Sequence, residues 1–319
     1  MHWIKSHPRG LWLLAALALC WLSLSTGPAG SDPWLLWQYL ADKHQGSLSP
    51  AALALEQIRL PRLLLAMLVG AALADPGLMG LSSGAALAAL GSIVFGIHWG
   101  LPPLWRLPLA AFVGALVTGF IVIRFGYRQN RLSITHLILA GVGINALAGA
   151  LMGLLSHIAD ESSLKLMTYW TLGSVAGASW PQLALAAPLL VLALALLWPW
   201  RLGLTLWLLG ERDAQTLGVD VKKMQQRLLV LVSVLVAIAT AFTGVIGFVG
   251  LVVPHLCRML FGGDYRQLLP ASLWGGALLM VLSDWLARTL VSPQELPVGI
   301  ITALMGTPVF LYLLRRHHA

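Results

Sequence analysis

Few side chains in this sequence are able to perform chemistry, and those few are scattered. The 319 residues include 12 Asp and Glu, nine His and two Cys. The sequence has no H-E-x-x-H pair of metal ligands and no Gly-Lys pair, so it lacks a P-loop for binding ATP itself. Cys20 and Cys257 both lie in apolar stretches and suggest neither a disulfide framework nor a metal cluster. The sequence therefore predicts no catalytic residue, no metal site and no cofactor bound by this chain.

The clearest ionic pair is Asp284 with Arg288. The two residues are four apart, a spacing that puts both side chains on one face of a helix. A carboxylate in that position can hold the guanidinium group in place. No run of acidic residues lies inside an apolar stretch, as a proton relay in a membrane would require. The pair therefore favours a structural brace, and the pattern weakens an ion pump or antiporter.

The elements that must position these side chains lie in lipid. Hydrophobic residues make up 58% of the chain and charged residues 10%, with a mean hydropathy of +0.82. A soluble domain carries roughly 25% charged residues. The composition excludes a soluble enzyme, a disordered chain and a disulfide-rich secreted domain. The 14 Trp agree with this, because indole rings favour the lipid–water interface.

About ten helical segments are predicted, which makes the chain an all-α, polytopic membrane protein. A crossing needs roughly 20 apolar residues. Runs without Asp, Glu, Lys or Arg cover 10–31, 63–74, 76–105, 107–123, 132–159, 166–200, 228–257, 267–283 and 296–314. The run at 228–257 is too long for one span, and its glycines predict a break that separates 228–244 from 247–261. The two halves of the chain look like diverged repeats.

Lys and Arg indicate the orientation of the segments. With the N-terminus inside and the helices alternating, 14 of the 20 Lys and Arg fall on inside segments, and both termini are cytoplasmic. The net charge of +8 is therefore explained by topology, and its spread over several loops does not favour nucleic acid binding. Alternatively, the first run is a signal peptide, since Lys5 and Arg9 precede its apolar core.

The longest polar interruption, residues 201–227, predicts a compact helix–turn–helix. Glu211 and Asp213 begin a short helix, where acidic residues suit the helix dipole. Gly218 is a natural end for that helix, and Asp220 can cap the next one. Such a unit is either a rigid knob that presses into a partner protein or an ordinary structured loop.

Five motifs together resemble the ABC importer permeases of the iron–siderophore, haem and cobalamin (FecCD) family. Gly210-Glu211, Ala214 and Leu217-Gly218-Val219 are similar to the coupling segment of that family, which places this segment at about 205–220. The other similar stretches are 59–62, 74–85, 247–255 and 295–308. Each motif alone is weak, but together they are specific and extend from about residue 55 to 314.

The resemblance implies one transmembrane permease domain, residues 1–319, in a bacterial inner membrane. Two copies would form a homodimer with the passage between them. Two cytoplasmic ATP-binding subunits would dock on the coupling segments and hydrolyse ATP, while a periplasmic binding protein would deliver the cargo. The coupling residues carried over by the resemblance are Gly210, Glu211, Asp213, Ala214, Leu217 and Gly218.

Three arginines are assigned to the periplasmic face. By the resemblance, Arg59, Arg62 and Arg288 match arginines that receive glutamates of the binding protein. Bidentate pairing of guanidinium with carboxylate suits that task. The alternative is that these long side chains reach the lipid–water interface only for solvation.

The cargo path is assigned by the same resemblance to the fifth and tenth helices. The residues expected to line it are Asn145, Met152, Thr302 and Met305. The stretch 155–174 resembles the haem-importing branch, so haem is the predicted cargo, with a ferric siderophore or cobalamin as alternatives. Direct ligation of haem iron by Met152, His157, Met167, Tyr169 or Met305 is weaker than an interpretation as packing residues. A membrane-embedded enzyme, a purely structural scaffold and a secondary transporter are the alternatives from other classes.

One departure from the family concerns the second helix. Members of the family continue it with a stretch of about fifteen residues that this sequence lacks between Ala74 and Asp75. The sixteen residues from Arg59 to Ala74 would cover only about 24 Å. We therefore expect a shortened second helix and impaired packing near 74–80.

Overall fold

The structure is a computed structural model that describes residues 8–27, 30–45, 49–73, 80–96, 103–128 and 131–317. Within these ranges the chain is helical apart from turns and two pairs of two-residue antiparallel strands. Strands β1 (Thr26–Gly27) and β2 (Gly30–Ser31) pair with each other, as do β3 (Tyr127–Arg128) and β4 (Arg131–Leu132). The all-α prediction is confirmed.

The helices form a membrane-type bundle. In chain order they are α1 (Pro8–Ser25), α2 (Leu35–Gln45), α3 (Pro50–Ala54), α4 (Leu60–Leu73), α5 (Leu81–Phe95), α6 (Pro103–Gly126), α7 (Ile134–Ile158), α8 (Glu161–Thr171), α9 (Trp180–Leu197), α10 (Arg201–Trp207), α11 (Glu211–Thr216), α12 (Val221–Thr243), α13 (Val249–Phe261), α14 (Tyr265–Thr289) and α15 (Val298–His317). Five of the described helices are long and apolar enough to cross a bilayer, and four shorter helices are also apolar.

The predicted break in the long apolar run at 228–257 is confirmed. Helix α12 ends at Thr243, the turn passes through Gly244, and α13 begins at Val249. Gly244 has a φ of +70°, a conformation that residues with a Cβ rarely adopt. The break therefore depends on this glycine as well as on the excess length of the run.

The second helix begins earlier than its sequence suggests, so the prediction of a helix starting at Arg59 is wrong. Helix α3, a π-helical turn at Leu55–Arg59 and α4 form one continuous helical stretch from residue 50 to 73. Its 24 residues cover about 35 Å. The Trp180 indole donates to the Glu56 carbonyl at 2.9 Å, which fixes the added turns. Of the stretch expected to pack poorly, residues 74–79 lie outside the described residues.

Helices α4, α12 and α14 form the centre of the core. Their apolar side chains meet in one cluster that includes Leu65, Val69, Leu235, Ile238 and Met280. Small residues bring α5, α6 and α12 close together in a second cluster made of alanines. Close approach through small residues is the usual way in which helices pack in lipid, where apolar burial alone gives little driving force.

Helix α7 differs from the core helices because most of its surface is exposed. Only 17% of the apolar stretch of α7 that could span a membrane is buried inside the chain, whereas 56% of the corresponding stretch of α14 is buried. The exposed face carries small residues, and a Cβ added at Gly143, Gly149 or Gly153 would contact nothing within 4 Å. This face is therefore free to meet lipid or another subunit.

A close backbone contact at the start of α15 yields a stability prediction. A Cβ at Gly299 would overlap the Leu172 carbonyl oxygen, and neither backbone can move freely because the Gly299 N–H also faces the Gly173 carbonyl at 3.4 Å. We expect Gly299→Ala to lower the free energy of unfolding in detergent by about 2 kcal/mol, as overpacking usually does. Gly91→Ala is the control, since a Cβ there meets nothing. Equal stability of the two variants would contradict this packing.

Candidate functional site

The predicted coupling segment, residues 205–220, contains the end of α10, all of α11 and the turn after it, and these form the predicted helix–turn–helix. Ala214 is fully buried and packs with Val221 and Met224 of α12. The remaining predicted coupling residues are exposed; they are Gly210, Glu211, Asp213, Leu217 and Gly218. The segment is thus fixed to α12 by one face of α11, while its other face is open to a partner.

The end of α11 follows the predicted capping pattern. Gly218 has a φ of +87°, and the Val219 N–H behind it donates to the Ala214 carbonyl at 3.0 Å. Asp220 caps α12 by accepting from the Lys223 N–H at 3.1 Å. The Lys223 ammonium group, and after it the Lys223 N–H, donate to the Asp220 carboxylate and lower the pKa of that group. Both helix ends are therefore satisfied within the segment, which makes it rigid.

Three exposed leucines surround α11. Leu208, Leu209 and Leu217 are 56%, 60% and 57% exposed. The sequence analysis assigned only Leu217 to the coupling residues. The signal for the other two was their position in a polar loop, where large apolar side chains have no helix face to pack against. Exposed apolar residues grouped beside charged ones are typical of a protein–protein contact.

Two arginines and two carboxylates form the arginine–carboxylate cluster, which consists of Arg62, Asp284, Arg288 and Glu295. Arg62 Nε lies 2.8 Å from Asp284 Oδ1, and Arg288 Nε lies 3.1 Å from Asp284 Oδ2. Arg62 Nη1 donates to both oxygens of Glu295, at 2.8 and 3.1 Å. The two positive charges of the arginines are balanced by the two carboxylates, so the cluster can be buried without leaving any of its charges unpaired. The predicted brace between Asp284 and Arg288 is confirmed.

Burial of the cluster bears on the docking role of two arginines, which stays a prediction. Arg62 and Arg288 are each only 3% exposed, and Arg288 also donates to the Ser23 hydroxyl at 2.7 Å. Both guanidinium groups have partners within the chain in this conformation. Arg59 is half-buried, and its Nη1 donates to the Leu24 carbonyl at 2.6 Å. Of the three arginines, Arg59 alone keeps surface for a docking role.

The expected path residues occupy different environments. Asn145 on α7 is exposed and accepts a hydrogen bond from the Ser83 hydroxyl, whereas Met152 is half-buried. On α15, Met305 is half-buried, but Thr302 is 1% exposed and its hydroxyl donates to the Gly299 carbonyl at 3.1 Å. The Thr302 side chain thus faces the interior of the chain, and the assignment of the four residues to the path stays a prediction.

No metal site is formed by the described residues. Within the described ranges, no three His, Cys, Asp or Glu side chains converge. The residues considered as ligands of haem iron differ in their exposure to solvent or lipid: Met167 is buried, whereas His157 and Tyr169 are exposed. A cavity of about 650 Å³ between α5, α6 and α7 is lined mostly by apolar side chains, with Thr118 and His136 as its polar exceptions. The cavity offers room for an apolar group.

Known proteins resemble the chain over most of its length. The model of the FecCD transport family matches residues 14–316. The hemin transport system permease HmuU of Yersinia pestis is 43% identical over 81% of this chain and 82% of its own. The vitamin B12 import permease BtuC of Vibrio vulnificus is 41% identical over 83% of each. A solved metal-chelate type ABC transporter in an inward-facing conformation has 31% identity and a TM-score of 0.80, covering 96% of this chain and 97% of its own.

The family model covers nearly the whole chain, and the relatives share both the sequence and the helical architecture described above. The segments that carry the resemblance include the coupling segment and the turn between α12 and α13. The chain is therefore an ABC transporter permease, a multi-pass membrane protein that belongs to the FecCD transport family.

Proposed function

We propose that this chain is the permease subunit of an ATP-driven importer that carries haem, as hemin, across the bacterial inner membrane. The observation that supports the ATP-driven mechanism is the coupling segment, a rigid unit fixed to α12 through Ala214 with an open face of leucines and acidic residues. Haem is favoured over other cargo by the hemin permease among the relatives. Cobalamin is the second candidate, because vitamin B12 permeases are nearly as similar.

The proposed assembly is a homodimer with two cytoplasmic ATP-binding subunits and a periplasmic binding protein. The exposed face of α7, with glycines that meet nothing in the chain, supports a contact with a second copy. In this assembly residues 1–319 act as one permease domain with both termini cytoplasmic. The chain itself binds no cofactor, and ATP is used by the partner subunits.

In the proposed mechanism, the ATP-binding subunits act on the permease through the coupling segment. Closure of the ATP-binding subunits moves the coupling segments that they hold. Because Ala214 packs on Val221 and Met224 and α12 begins directly after Asp220, the segment and α12 move together. Helices that surround the passage then change their packing, and the passage opens to the other side.

Cargo-dependent ATP hydrolysis tests this function. The chain is purified with its ATP-binding subunit, placed in lipid nanodiscs and mixed with its binding protein, with hemin or cyanocobalamin as cargo. We expect hemin to raise the rate of ATP hydrolysis several-fold and cyanocobalamin to have little effect. If cyanocobalamin stimulated hydrolysis and hemin did not, cobalamin would replace haem as the proposed cargo. Uptake driven by a proton or sodium gradient without the ATP-binding subunit would refute the ATP-driven mechanism.

A further inference from the structure

A polar contact joins the coupling segment to the start of α14. The Thr205 hydroxyl, on α10, donates to Asp264 Oδ1 at 2.9 Å and accepts the Tyr265 backbone N–H at 3.1 Å. The other acceptor within reach of the hydroxyl is the Arg201 carbonyl of its own helix, at 3.0 Å. Asp264 is the N-cap residue of α14. One hydroxyl thus connects two helices whose contacting residues are 59 positions apart in the sequence.

The carboxylate in this contact is well held. Asp264 Oδ1 also accepts from the Arg266 backbone N–H at 3.0 Å. These hydrogen bonds lower the pKa of Asp264, with the Arg266 N–H as the largest contribution and the Thr205 hydroxyl next. The group is therefore ionised at neutral pH, and hydrogen bonds to a charged acceptor are stronger than those between neutral groups.

Helix α14 extends from this contact to the opposite end of the bundle. Its 25 residues span roughly 37 Å. In its middle the backbone lies against α4, because a Cβ at Gly70 would overlap the Gly276 carbonyl oxygen. At its far end Asp284 and Arg288 belong to the arginine–carboxylate cluster. Helix α14 is thus held at its start, against α4 in its middle and by ion pairs at its far end.

The far end of α14 also connects to α15. Arg62 of α4 holds both Asp284 and Glu295, and Glu295 stands three residues before the start of α15. A displacement of α14 therefore reaches α4 and the beginning of α15 through direct ion pairs. Contiguous packed elements of this kind are able to transmit a change between distant sites.

We propose that the hydrogen bond from Thr205 to Asp264 is a mechanical joint through which the coupling segment moves α14. Thr205 and Asp264 are positioning residues for transport and touch neither ATP nor cargo. The coupling segment then acts on two helices, α12 through the chain and Ala214, and α14 through this joint. The inference rests on the proposed function, since the force on the coupling segment comes from the ATP-binding subunits.

The joint is tested by measuring motion at the far end of α14 without any cargo. Cys20 and Cys257 are first replaced by alanine, and Leu290→Cys, at an exposed position that follows α14, is spin-labelled. Double electron–electron resonance spectroscopy then measures the distance between the spin labels on the two copies of the chain, with and without ATP and vanadate. Thr205→Val removes the hydroxyl but keeps the shape of the side chain, and Thr205→Ser keeps the hydroxyl.

The matched control is Thr168→Val. The Thr168 hydroxyl is exposed and donates to the Leu164 carbonyl at 2.9 Å inside α8, outside the coupling segment. We expect ATP to shift the label distance in the unaltered complex, in Thr205→Ser and in Thr168→Val. In Thr205→Val the ratio of shifted to unshifted populations should fall about tenfold, the effect of losing one hydrogen bond to a charged group.

Each other outcome has a defined meaning. A full shift in Thr205→Val would overturn the joint, and so would an equal loss in Thr205→Ser or Thr168→Val. Absence of any shift in an unaltered complex that hydrolyses ATP would also overturn it, because the far end of α14 would not move. Failure of the chain to bind an ATP-binding subunit at all would refute the proposed function instead, which distinguishes the two.

Discussion

Replacing Asp284 by alanine is expected to lower the free energy of unfolding by about 3–5 kcal/mol, because it leaves buried cations without their partner. Asp284 is 1% exposed, and both of its carboxylate oxygens are used, one by Arg62 and one by Arg288. The variant would retain Glu295 as the only carboxylate of the arginine–carboxylate cluster. Glu295 forms its ion pair with Arg62, and Arg288 would keep its hydrogen bonds to the neutral groups of Ser23 and Thr26.

Chemical unfolding of the purified chain in mixed micelles measures this effect. Lys223→Ala is the matched control, since it breaks an ion pair whose side chains are 69% and 51% exposed. Exposed pairs contribute little, and we expect no resolvable change for this control. If Asp284→Ala unfolded at the same denaturant concentration as Lys223→Ala, the cluster would not stabilise the fold.

The second large effect is expected at the tip of the coupling segment. Leu217→Asp should weaken the affinity for the ATP-binding subunit about 100-fold, which is the usual effect of removing a central apolar contact of an interface. Leu217 is 57% exposed, so the aspartate is tolerated by the chain itself. In the complex the same side chain would have to be buried as an unpaired charge.

The control for this variant is Leu290→Asp, which places the same charge at a leucine that is 60% exposed beyond the far end of α14. Both variants should reach the membrane in normal amounts. Binding of the purified ATP-binding subunit to each variant in nanodiscs gives the two affinities. Equal affinities would show that Leu217 lies outside the interface.

Features that depend on neighbouring residues were predictable from the sequence. The excess length of one apolar run and its glycines indicated the break after Thr243, which the structure contains. Acidic residues, Gly218 and Asp220 indicated the short helix of the coupling segment and its ends. The four-residue spacing indicated the pair of Asp284 and Arg288. Capping, turns and spacing on one helix are local, so one stretch of sequence is enough to reveal them.

Features that depend on distant partners were not predictable in the same way. The charges of Glu56, Arg59 and Arg62 interrupt the apolar pattern and hid the start of the second helix at Pro50. Their accommodation depends on residues elsewhere, such as Asp284, which is 222 positions from Arg62. The same reason hid the burial of Arg62 and the contact of Thr205 with Asp264. No pattern within one segment reveals a partner so far along the chain.

The most direct measurement is a crosslink from the coupling segment to the ATP-binding subunit. A photoreactive amino acid replaces Leu217 in the chain, which is coexpressed with that subunit in bacterial membranes. The proposed function predicts a crosslink to the ATP-binding subunit whose yield changes with ATP, and none from the same amino acid at position 290. A residue 217 that crosslinks to no ATP-binding subunit, or that is labelled by impermeant reagents from the periplasmic side, would contradict it.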